Sequence, residues 1–131
     1  MNNTKNKNNN LLNLQLISSI VFILSSLVSL TITFDEKNRN EKKKGYFTTK
    51  QALNISFYNR IVILAAVLIS FYVGYKNFDN EDDNTMGKYK SGLLFSTNVL
   101  TLIGSLIILY VSYLNKKEQS LTPSDVENPL I

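Results

Sequence analysis

Three long stretches of this chain have no polar face. Residues 11–34 and 92–114 contain no Asp, Glu, Lys or Arg, and residues 60–75 are apolar all round a helix except for Arg60 at their start. Helices that pack on a water-soluble core carry an apolar stripe opposite a charged one. None of these blocks does, which argues against a soluble three-helix bundle. At 1.5 Å per residue, about 20 residues cross a hydrocarbon layer about 30 Å thick. The pattern therefore predicts an all-α protein, a membrane-embedded helical bundle of three transmembrane helices over 11–34, 52–75 and 92–114. A basic loop, 35–51, and an acidic loop, 76–91, separate them. The Asn-rich polar head, 1–10, cannot bury enough apolar surface to fold alone and is expected to be disordered. The tail, 115–131, holds both prolines and is expected to be flexible.

Local signals refine the boundaries. Thr48 followed by Gln51 matches a capping box, which starts the second helix near Thr49. The first block follows Lys5 and Lys7 as a signal peptide would, but a signal's apolar region is about 7–15 residues long and ends at small residues. This one is longer and ends in Thr31-Ile-Thr-Phe34, so a retained span is expected. Asn2 and Asn54 each begin a formal glycosylation sequon, one close to the terminus and one at a membrane entry. Both are expected to go unused.

Composition narrows the chemistry. Mean hydropathy lies near zero only because apolar blocks are averaged with charged connectors. The chain has no Cys and no His, which removes disulfides, thiolate nucleophiles, the commonest general base and the commonest metal ligands. No glycine pattern fits a phosphate loop, so neither enzyme activity nor a cofactor is expected. The net charge of +4 is spread over the polar segments as juxtamembrane lysines, without the basic face that nucleic acid requires. Asp79, Glu81, Asp82 and Asp83 invite a calcium reading. Counting from Asp79, however, an EF-hand needs Gly at Asn84 and Glu at Lys90, so a solvated turn is expected.

Charge also orients the spans. Three crossings put the first loop and tail on one side, with Lys37, Arg39, Lys42, Lys43, Lys44, Lys50, Lys116 and Lys117. The other side has Lys5, Lys7, Lys76, Lys88 and Lys90. Basic residues favour the cytoplasmic face, so the first loop and C-terminal tail are expected there. Arg60 agrees with this. A mid-span arginine costs about 2.5–3.5 kcal/mol on the insertion scale, less near a helix end, and the apolar residues after it return roughly 3–5 kcal/mol. Two roles stay open for it: an anchor that snorkels toward the lysine-rich loop, or an intramembrane charge that lines a pore or contacts a lipid headgroup.

Small and hydroxyl residues recur four apart in each span: Ser25, Ser29 and Thr33; Ala66, Ser70 and Gly74; Thr97, Thr101 and Ser105. Such rows let helix backbones approach closely in lipid, and helix packing is the expected role. The alternative is a polar pore lined by Asn98, Ser70 and Ser29.

Residues 14–22 (LQLISSIVF), 29–37 (SLTITFDEK) and 52–60 (ALNISFYNR) resemble the small multi-spanning membrane proteins of giant nucleocytoplasmic DNA viruses, of the mimivirus kind. The resemblance covers the spans and their junctions. It implies a membrane component of a virion or of a host internal membrane, and it transfers no functional residue. Together these readings predict an integral membrane protein with a structural or interaction role, whose partners are the bilayer, further copies of the chain or other membrane proteins. A small oligomeric channel is the alternative.

Overall fold

The computed structural model describes residues 2–41, 45 and 47–118, with side chains from 9 to 117. Lys42, Lys43, Lys44 and the tail beyond 118 lie outside the described residues, as do the side chains of Lys5 and Lys7. Three α-helices account for nearly all of the described chain: α1 (Asn2–Asn40), α2 (Thr49–Asn80) and α3 (Met86–Glu118). Each contains an apolar stretch long enough to cross a membrane. This is an all-helical, multi-pass membrane architecture.

Every helix outruns the span expected of it. The head continues α1 back to Asn2, and α1 also runs past Phe34 as far as Asn40. The acidic loop shrinks to the turn between Asn80 and Met86. The reason is geometric: hydropathy marks only the part of a helix that lies in lipid, and backbone hydrogen bonding does not stop at the headgroups. The 32 residues of α2 rise about 48 Å, so roughly 9 Å extends beyond each edge of a 30 Å hydrocarbon layer.

The ends are capped by threonines. Thr48 Oγ1 accepts the Gln51 N–H at 3.2 Å while the Thr48 N–H donates to Gln51 Oε1 at 3.0 Å. These are the two bonds of a capping box, and α2 begins at Thr49. At α3, Thr85 Oγ1 accepts the Lys88 N–H at 3.0 Å. The preceding turn is tight enough to put Asn84 at φ 63°, a left-handed conformation that asparagine tolerates better than most side chains.

The helix in the middle is α2. It packs along α1 on one side and α3 on the other, and the described backbones of α1 and α3 do not approach each other closely. The molecule is also inside-out by soluble standards. Leu16, Ile20, Ile23, Leu27 and Leu30 of α1 are exposed, whereas Ser18, Ser25 and Ser29 of the same helix are buried. Hydrocarbon solvates leucine as well as a protein core does, so what the interior gains is close backbone approach and polar contact.

Candidate functional site

The polar residues of the spans converge on α2. On α1 the inward positions repeat every seven residues, Leu11, Ser18, Ser25 and Ile32, with Ser29 and Glu36 alongside. On α3 the corresponding row is Asn98, Ser105 and Ser112, with Asn115 one turn on; of these only Asn98 is less than fully buried. A seven-residue repeat keeps one face against a partner over many turns in left-handed packing.

Two hydrogen-bond clusters fix the α1–α2 register. Asn59 Nδ2 donates to the Ser25 carbonyl at 3.2 Å and to Ser29 Oγ at 3.0 Å. Seven and eleven residues further along α2, Ser18 Oγ donates to the Ala66 carbonyl at 3.0 Å and shares a 2.8 Å hydrogen bond with Ser70 Oγ. Ser70 also connects to α3, because Asn98 Nδ2 donates to its carbonyl at 3.3 Å. Ser70 is thus hydrogen-bonded to both outer helices.

The absent side chain of Gly74 makes room for that last contact. A Cβ at Gly74 would collide with Asn98 Nδ2. Above it, Phe95 of α3 packs among the Phe71, Tyr75 and Phe78 rings of α2, with centroids 5.2–6.0 Å apart. Between these helices lies a half-open cleft of about 710 Å³, whose polar wall includes Ser70, Asn77, Asn80, Ser91, Thr97 and Asn98.

The opposite end of the seam is charged and closed. Asp35, Glu36, Arg60 and Asn115, contributed by all three helices, are buried, and none of them lacks a partner. Asp35 and Glu36 were expected in a loop; instead they occupy the last turns of α1. Arg39 Nε lies 3.2 Å from Asp35 Oδ2, an ion pair without the angle of a hydrogen bond. Asp35 Oδ1 accepts the Phe47 N–H at 3.2 Å, which folds the end of the first loop back onto α1. Arg60 is 3% exposed. A guanidinium so enclosed is a charge internal to the described helices. Burying an ion is costly unless it is paired, and a buried charge tolerated here marks a fixed internal contact.

The residues singled out by four-residue spacing divide in two. Ser25, Ser29, Ala66 and Ser105 are buried, and Ser70 and Gly74 meet the neighbouring helices. Thr33, Thr97 and Thr101 are exposed, and the last two turn their hydroxyls onto carbonyls of their own helix. A four-residue step advances 400° around a helix, so a strict row drifts off a straight seam, whereas a seven-residue step returns close to it. Asn59, Ser18 and Ser112 escaped notice for this reason. The pore residues also separate: Ser70 and Asn98 share the cleft, and Ser29 lies about 16 Å along the axis with Asn59. No group of three or more metal-ligating side chains occurs among the described residues. Compared with known proteins, the chain matches no family model, no curated sequence and no solved structure.

Proposed function

We propose that this protein is a structural component of a membrane that works by assembling with copies of itself or with other membrane proteins. One observation carries the proposal: the buried polar side chains of the spans include those that tie helices together, while the outer surface is mostly apolar and largely uncovered. Only 6% of the most apolar stretch of α3 is buried. On its open side, a Cβ at Gly104 would meet nothing within 4 Å, and Thr97 and Thr101 precede it on the same face. A helix of another protomer can approach closely there.

The lysine distribution supports a cytoplasmic first loop and tail, and the resemblance to giant-virus membrane proteins supports a virion or host internal membrane as the location. Alkaline carbonate extraction with protease protection of tagged termini tests insertion and orientation together; a tail protected from cytoplasmic protease reverses the orientation. For assembly, the cysteine-free chain permits single-cysteine crosslinking. Gly104→Cys is expected to form a disulfide-linked dimer in membranes, and Leu106→Cys, on the far side of α3, is not. A Gly104→Cys protein that stays uncrosslinked and has a monomer's mass by light scattering removes self-assembly.

The cleft favours a second reading, a small oligomeric channel in which Ser70 and Asn98 face water. It expects single-channel conductance in planar bilayers that Ser70→Leu or Asn98→Leu abolishes. Silent bilayers containing correctly inserted protein exclude it.

A further inference from the structure

We propose that the end of the protein carrying Lys37, Lys50, Lys116 and Lys117 binds anionic lipid headgroups of the leaflet around it. The two ends of the molecule differ in the acids beside their lysines: at the second-loop end Asp79, Glu81, Asp82 and Asp83 are exposed alongside the exposed Lys90 and alongside Lys76, which lies over the Tyr72 ring. At the second-loop end, Lys88 is consumed internally: its Nζ donates to the Phe78 carbonyl at 2.8 Å, lies 4.0 Å from the Phe78 ring centroid and is 3.8 Å from Asp83. At the first-loop end the acids are the consumed partners. Asp35 is buried against Arg39, and Glu36 is buried beside it in sequence. Among the described side chains of that end, Glu41, 4.0 Å from Lys37, is the one exposed carboxylate, against exposed Lys37, Lys50 and Lys117.

Lys116 supplies the geometry. Its ammonium lies 4.9 Å from the centroid of Phe57 and 5.3 Å from that of Tyr58, and Phe57 in turn packs against Tyr113. Tyr58 and Tyr113 are exposed, as interfacial aromatics are. The rings hold the charge in place by cation–π attraction while occupying none of its three N–H donors with a conventional acceptor. The result is a fixed ammonium at headgroup depth beside aromatic surface for an acyl chain. That second feature selects a lipid phosphate over a free one. Each lysine close to an anionic surface contributes about fivefold in affinity.

The test uses the full chain in neutral detergent, titrated with short-chain phosphatidylserine and read by native mass spectrometry. Short-chain phosphatidylcholine, inorganic phosphate and a single-stranded oligonucleotide are the comparison probes. Phosphatidylserine is expected to bind at least about tenfold tighter than phosphatidylcholine, and to weaken as salt rises. Lys116→Gln is expected to lose about fivefold, with Lys116→Arg restoring binding and Lys88→Gln leaving it unchanged. If Lys116→Gln does not accumulate, the exposed triple Lys37→Gln/Lys50→Gln/Lys117→Gln gives the same reading. Equal binding of the two lipids, or indifference to every first-loop-end variant, overturns the proposal. So does competition by inorganic phosphate at the lipid's own concentration, which assigns a free anion. Tighter binding of the oligonucleotide assigns a nucleic acid instead.

Discussion

At the first-loop end of α2, Asn59 and Arg60 are enclosed by the neighbouring helices, and α1 adds two buried carboxylates. At the second-loop end, Ser70 and Asn98 are also hydrogen-bonded, but they stand in the wall of an open cleft. Both ends use polar contacts inside apolar helices, and they differ in what those contacts leave over. The closed end spends its polarity on holding α1, α2 and the first loop in one arrangement. The open end holds α3 through the Asn98 amide, the Lys88 ammonium and a ring cluster, and leaves polar surface facing a space.

Breaking the closed end should have the larger effects. Asp35→Ala removes the partner of Arg39 and the acceptor of the Phe47 N–H. Loss of one member of a buried ion pair costs about 3 kcal/mol, and the loop end is released as well. Unfolding by SDS titration in mixed micelles should show that loss, with faster proteolysis between α1 and α2. Unchanged stability means the pair is incidental. Asn59→Leu follows at about 2 kcal/mol, because the Ser29 hydroxyl and Ser25 carbonyl lose a donor in a site water does not reach. The same titration reads it, and an effect below that of an exposed α1 control such as Leu24→Ala contradicts the seam.

At the open end the comparison sharpens into a coupling. Gly74→Ala drives a methyl group into Asn98 Nδ2, and overpacking of this kind costs about 1–3 kcal/mol. Asn98→Ala alone loses one interhelical hydrogen bond. If the clash is the cause, the double variant Gly74→Ala/Asn98→Ala is more stable than the sum of the singles implies. A double-mutant cycle with additive losses places the effect of Gly74 elsewhere.

The spans themselves were legible because lipid imposes an apolar composition on every face, and no alternative fold tolerates that in water. The capping box at Thr48 was legible because it is a local, four-residue device. What escaped was everything that depends on pairing between helices. Ser18 reads as one of many serines until its hydroxyl is placed against Ala66 and Ser70, forty-eight and fifty-two residues away. Thr97 and Thr101 look like packing residues by spacing, yet each satisfies its hydroxyl within its own turn. Asp35 and Glu36 read as loop acids because charge normally ends a span, and only the continuation of α1 carries them inside.

The smallest effect tests whether the seam is continuous between the two ends. Ser18 is 2% exposed and bonds to α2 at the level where Asn98 reaches in from α3. Ser18→Ala removes a hydroxyl without changing backbone spacing, and interhelical hydrogen bonds in membranes average about 0.6 kcal/mol. Ser18→Leu adds bulk where α1 and α2 approach closely, so it should cost at least about 1 kcal/mol more than alanine. Such an ordering, with Ser18→Gly no worse than alanine by more than helix propensity, identifies close approach as the larger contribution and the hydrogen bond as the smaller. Equal losses for alanine and leucine would mean that the helices stand apart at this level. The α1–α2 contact would then depend on the charged end alone.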